Sequence, residues 1–151
     1  MQAADDAVEV EPGLFLGTRF SALLGALRER GITAVVNYAG ELYALRQTYP
    51  ADGEIETLQH WWEDLEHDIL FPALADGYAF IRRNLDAGNR VLVHCAQGIS
   101  RSPCQVLYYL MRTRHWTYDR ALTHLAARVP RARPNPAYAR QLAQYASESE
   151  W

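Results

Sequence analysis

Short apolar runs alternate along the chain with stretches of helical periodicity, and that order predicts an α/β architecture. Val8 to Leu16 reads as extended chain with a turn at Pro12-Gly13. Ser21 is placed to cap a short helix running through Arg30, with Leu23, Leu24 and Leu27 buried and Gly31 closing it. Ile32 to Asn37 is short and rich in β-branched residues, as a buried strand is. Gly40 to Asp52 is ambiguous, a helical turn followed by a loop, and Ile55 to Leu58 reads as a further strand. Pro72 opens a stronger helix in which Leu74, Tyr78, Ile81 and Leu85 recur on one face, and Gly88 ends it. The apolar run in Arg90-Val91-Leu92-Val93-His94 suits a central strand covered on both faces. A helix then starts at Ser100 or Arg101 and runs to about Arg114, burying Leu107, Leu110 and Met111. Thr117 caps another, with Leu122, Leu125 and Val129 inward. Asn135-Pro136 supplies a cap and a first-turn proline for the last, with Tyr138, Leu142 and Tyr145 inward. The expectation is one domain over residues 1–151, built on a central, mostly parallel twisted sheet of about four to five strands flanked by helices.

Composition narrows the setting more than the chemistry. With 49% apolar and 22% charged residues in 151, the chain is an ordinary globular sequence and carries no disordered tract. A formal charge of -3 leaves no electrostatic footprint for nucleic acid or an anionic membrane. No stretch approaches the roughly 20 apolar residues of a membrane span. Met1 to Glu11 carries four acids and no long apolar run, unlike a secretory signal. Two cysteines make no disulfide framework and fit a reducing compartment. These features together point to a soluble, cytoplasmic protein with neither nucleic acid nor membrane as partner. His60, His67, His94, His115 and His124 are scattered, with no H-x-x-x-H or C-x-x-C pair, so no metal or other cofactor is expected.

The segment that carries chemistry is His94-Cys95-Ala96-Gln97-Gly98-Ile99-Ser100-Arg101-Ser102. It lies where a strand gives way to a helix, with Arg101 six residues after Cys95. A tight loop there can curl so that the backbone N–H groups of Ala96, Gln97, Gly98, Ile99 and Ser100 point into one hollow. Such a nest binds an anion, and the positive end of the following helix adds to the field. Arg101 offers a planar fork matched to two phosphoryl oxygens. At the foot of the hollow the same field favours a thiolate over a thiol. A nucleophile and a clamp for transition-state charge are then held in one turn of chain.

His94 to Ser102 resembles the H-C-x5-R-[ST] signature of protein tyrosine phosphatases, most closely that of the dual-specificity subfamily. The resemblance covers most of the chain: Glu11 to Gly17 is similar to that subfamily's opening strand pair, Gly31 to Asn37 to its GIT-x-V-[IV]-N strand, and Arg133-Pro134-Asn135-Pro136-Ala137-Tyr138 to the start of its final helix. The resemblance implies hydrolysis of phosphate monoesters through a phosphocysteine intermediate. Cys95 is then the nucleophile and Arg101 the phosphate ligand, His94 shapes the loop, and Ser102 donates to the sulfur as the phosphoenzyme is hydrolysed.

The resemblance also implies a general acid, an aspartate on a loop ahead of the helix that precedes the nucleophile strand. Glu63-Asp64-Leu65-Glu66-His67-Asp68 holds the candidates, and Asp64, 31 residues before Cys95, has the family-like separation. Asp64 to Asp68 is one residue shorter than the family's usual spacing, and Asp68, Glu63 and His67 remain alternatives. Trp61 and Trp62 either wall a pocket or pack. Cys104 reads as a buried, inert thiol, with a disulfide to Cys95 as the other option. Arg131 and Arg133 read as solvated charges, with a second substrate contact as the alternative. The stretch Ala96 to Ser100 contains no basic residue. That favours phosphotyrosine and phosphoserine/threonine in proteins over heavily phosphorylated small molecules or lipids. A catalytically silent phosphate-binding module and a phosphatase for a non-protein ester are the competing readings. Sulfurtransferase-like and arsenate reductase-like thiolate enzymes fit the spacing and position of the motif poorly.

Overall fold

The computed structural model describes residues 7–39, 49–60, 69, 71–95 and 100–148. Its strands are β1 (Val8–Glu11), β2 (Leu14–Gly17), β3 (Ile32–Asn37), β4 (Glu56–Gln59) and β5 (Arg90–His94). Its α-helices are α1 (Leu24–Arg30), α2 (Phe71–Asp86), α3 (Arg101–Arg114), α4 (Tyr118–Arg128) and α5 (Pro136–Glu148), and a 3-10 turn spans Arg19–Ala22. The strands form one sheet in the order β1-β2-β5-β3-β4. Among the described strands only the edge pair β1–β2 is antiparallel; β2, β5, β3 and β4 run parallel. This is the α/β architecture the sequence pattern predicts.

Alternation along β5 sorts the two layers. Val91 and Val93 face a large apolar cluster built with α2, α3, α4 and α5. Leu92 points the other way, into a smaller cluster with Phe15, Leu27, Ile32 and Val35 beneath α1. α3 is the central helix of the large layer: every residue from Arg101 to Met111 is buried, Leu107, Leu110 and Met111 fully. None of the described helices is long and apolar enough to cross a membrane.

Most local expectations match the observed elements. The Thr117 hydroxyl accepts from Arg120 N at 3.2 Å, and Asn135 Oδ1 accepts from Tyr138 N at 2.9 Å, so both polar caps form. Gly31 ends α1 at φ 69°, a conformation that suits a residue without Cβ. The expected helix from Ser21 to Arg30 is instead split. Ser21 accepts from Thr18 N at 3.1 Å while Thr18 Oγ1 accepts from Phe20 N at 3.3 Å, and this reciprocal pair caps the 3-10 turn. Leu23 then turns extended, at ψ 141°, and its side chain is 54% exposed rather than buried. α2 begins one residue before Pro72, β4 is shifted one residue from the expected Ile55 to Leu58, and Val129 is buried just beyond the end of α4. Leu122, Tyr78, Leu85 and Tyr145 are half-buried partners of the core. Of Gly40 to Asp52, residues 40–48 lie outside the described residues, and Tyr49 to Asp52 are loop and turn.

Candidate active site

In register, Gly17, His94, Asn37 and Gln59 line the carboxyl edge of the four parallel strands. Ligands of open α/β sheets bind outside that edge. Cys95 follows the last residue of the central strand and is 3% exposed. Its Sγ lies 3.2 Å from the hydroxyl of Ser102, in the first turn of α3. Arg101 begins that helix and is 5% exposed, with Nη1 donating to the carbonyl of Tyr38 at 3.0 Å.

The backbone places that carbonyl at the carboxyl edge of the sheet. Tyr38 N donates to His94 O at 2.9 Å, extending the β3–β5 ladder one residue past the end of β3. In a parallel ladder the carbonyl of the same residue faces the same neighbour. The guanidinium of Arg101, from the first turn of α3, donates to this carbonyl. The cation is thereby fixed at the sheet edge, at the N-terminal end of a 14-residue helix.

His94 is fully buried. Its Nδ1 lies 3.3 Å from the carbonyl of Cys95, which only accepts, so Nδ1 carries the proton. Nε2 is buried with no hydrogen-bond partner among the described residues. Burial, with the positive charge of Arg101 adding to it, lowers the imidazole pKa to about 4 against a weaker upward pull from the Cys95 carbonyl. His94 is therefore neutral near pH 7.

Ser100 precedes α3 and does not cap it with its side chain. Its hydroxyl instead accepts from Asn135 N at 3.2 Å, tying the segment before α5 to the start of α3. Two polar residues that sequence reading passed over complete the surroundings. Tyr38 and Gln105 are fully buried; the Tyr38 hydroxyl donates to Gln105 Oε1 and lies 3.2 Å from Ala73 O, and Gln105 Nε2 donates to Leu74 O at 3.2 Å. A glutamine four residues after Arg101, on a helix otherwise read as apolar, was the available signal.

The fold thus brings together His94, Cys95, Ser100, Arg101 and Ser102. Ala96, Gln97, Gly98 and Ile99 lie outside the described residues, as do Trp61, Trp62, Glu63, Asp64, His67 and Asp68. Cys104 is fully buried and in no disulfide, and Arg131 and Arg133 are exposed. No three His, Cys, Asp or Glu side chains among the described residues gather as a metal site.

The site is a strand-to-helix junction with a buried cysteine, a serine hydroxyl on its sulfur and an arginine at the helix start. The family model for "Dual specificity phosphatase, catalytic domain" matches residues 14–148, and the chain belongs to that family. It is 34% identical to protein phosphatase Slingshot homolog 3 of Rattus norvegicus over 96% of this chain and 22% of the relative. It is 36% identical to dual specificity protein phosphatase 12 of the same species, over 95% of this chain and 42% of the relative. The chain therefore spans less than half the length of these two relatives. Among solved structures it superimposes on human tyrosine phosphatase-like serine/threonine/tyrosine-interacting protein with a TM-score of 0.84. That match has 28% identity and covers 93% of this chain and 95% of the other. Human DUSP28 matches with a TM-score of 0.82 and 28% identity, covering 97% and 95%.

Proposed function

We propose that this chain is a cysteine-dependent phosphatase that hydrolyses phosphate monoesters, with phosphotyrosine and phosphoserine/threonine of proteins or peptides as substrates. The observation that carries the reading is the Cys95–Ser102 contact of 3.2 Å beside a buried Arg101. The Cys95 thiolate attacks phosphorus in line, forming the S–P bond as the bond to the leaving oxygen breaks. Arg101 and the N–H groups of residues 96–100 hold the charge on the equatorial oxygens. An acid from the segment between β4 and α2 protonates the leaving oxygen, and Asp64 is assigned that role ahead of Asp68. The carboxylate left by that acid then takes a proton from water as the water attacks phosphorus, the S–P bond breaks, inorganic phosphate leaves, and the Ser102 hydroxyl stabilises the thiolate as it is released. Neutral His94 fixes the Cys95 carbonyl and so the turn into the loop. The names of the relatives and the absence of basic residues from Ala96 to Ser100 support protein substrates over polyphosphorylated ones. Two cysteines that form no disulfide fit a cytoplasmic setting.

The test is hydrolysis of a small aryl phosphate with EDTA present, from pH 5 to 8. Wild type should turn over and Cys95→Ser should not, while still binding inorganic phosphate. Full activity in Cys95→Ser would refute the thiolate mechanism. Activity in neither would leave a phosphate-binding module as the better description. In the same assay Asp64→Ala should lose most activity on esters with poor leaving groups. A larger loss in Asp68→Ala reassigns the acid.

A further inference from the structure

We infer that Tyr38 and Gln105 are a buried positioning pair for Arg101, setting where its guanidinium meets a bound oxyanion. The inference rests on the phosphatase reading only in naming the anion. Arg101 and Gln105 are one helical turn apart on α3 and project from the same face. Tyr38 touches both. Its carbonyl receives Arg101 Nη1 at 3.0 Å, and its hydroxyl donates to Gln105 Oε1. Both Tyr38 and Gln105 are also tied to the neighbouring helix α2, the hydroxyl lying 3.2 Å from Ala73 O and Gln105 Nε2 donating to Leu74 O at 3.2 Å.

Chemistry fixes the orientation of the pair. Leu74 O only accepts, so the glutamine must turn its NH2 there and its oxygen to the phenol. Burial raises the Tyr38 pKa well above its ordinary value, so the phenol keeps its proton and stays a donor. The ring is further held against His60, with centroids 5.7 Å apart and planes at 19°. α2 makes room for the arrangement at one residue. A Cβ on Gly77 would stand 2.0 Å from Gln105 Oε1 and 2.9 Å from the Tyr38 hydroxyl. Enclosure of the buried pair restrains Tyr38, and the Tyr38 carbonyl in turn helps direct the guanidinium. A displacement on the order of 1 Å at a clamp is enough to cost about 100-fold in rate.

The experiment compares wild type, Tyr38→Phe, Gln105→Leu and the double variant. The readouts are inorganic phosphate binding by calorimetry, kcat and KM on an aryl phosphate, and melting temperature. Each single variant should weaken phosphate binding about three- to tenfold and lower kcat/KM by about tenfold or more. The double variant should lose little beyond either single change, because the two residues act as one unit. It also removes the phenol–amide bond from both ends, so neither replaced side chain leaves the other an unmet partner. Unchanged phosphate affinity and kcat/KM with a lowered melting temperature would make the pair merely structural and overturn the inference. If wild type binds phosphate but hydrolyses nothing, weakened binding in Tyr38→Phe sustains the inference while the phosphatase reading falls. No phosphate binding by wild type overturns both.

Discussion

The two faces of the sheet are built differently, and the site divides between them. One face is covered by α2, α3, α4 and α5 around a large apolar cluster, the other by α1 and a 3-10 turn around a small one. Cys95 continues the alternation of Val91 and Val93 onto the thick face, where α3 supplies Ser102 as its partner. His94 continues that of Leu92 onto the thin face, where one ring nitrogen meets only the chain's own carbonyl and the other meets nothing among the described residues. Cys95 therefore meets its hydroxyl partner where a helix packs against the sheet. The thin face contributes a histidine that burial, aided by the Arg101 charge, keeps neutral.

Core truncation breaks the comparison most strongly. Leu107 on α3 and Leu27 on α1 are both fully buried, one in each cluster. Leu107→Ala should cost nearer the upper end of the roughly 2–5 kcal/mol range for such changes, because four helices hold the cavity open. Leu27→Ala should fall nearer the lower end, since a seven-residue helix settles into the gap more readily. Urea unfolding of both variants measures this. An equal or greater loss in Leu27→Ala would show that the thin face is packed as rigidly as the thick one.

Features set by neighbouring residues were legible in the sequence. The Val91-Leu92-Val93 run marks a strand buried on both sides, and Thr117 and Asn135 mark helix starts because a cap acts within three residues. The placement of Cys95, Arg101 and Ser102 followed from the same strand-to-helix logic. Leu23 was misread because helical periodicity does not register the Thr18–Ser21 exchange that stops the turn short of it. Tyr38 and Gln105 lie 67 residues apart, and a glutamine in a helix reads as solvated until its partner across the core is known. The candidate general acid rests on family resemblance rather than on local pattern, and Asp64 lies outside the described residues.

The buried imidazole gives the thin face a pH dependence of its own. An unfolded histidine takes up a proton near pH 6.5, whereas His94 in the fold resists until about pH 4. Its pKa is depressed by folding, so the stability held by the neutral ring is complete above about pH 6.5 and is lost as pH falls toward 4. The window corresponds to about 3 kcal/mol. Unfolding free energies of wild type and His94→Asn across pH 4 to 7 isolate it. The wild-type slope should be steeper by that amount over the window, and parallel curves would mean that His94 titrates as freely in the fold as out of it.

The smallest effect lies at the margin of the thin face and should have the opposite sign. Leu23 occupies the cap position of α1 with φ -65° and ψ 141°, a backbone suited to a polar cap, yet it offers no side-chain acceptor. The first turn of α1 carries no acid, and the leucine side chain is mostly in solvent. Leu23→Asp should therefore add an acceptor for the first-turn N–H groups and a charge that complements the helix dipole, stabilising the fold by about 1 kcal/mol. Thermal unfolding checks the sign. A rise in melting temperature places the boundary of the thin apolar cluster inside Leu23, where exposure puts it. A fall would mean that the leucine contributes packing, and that the cluster beneath α1 extends to the helix cap.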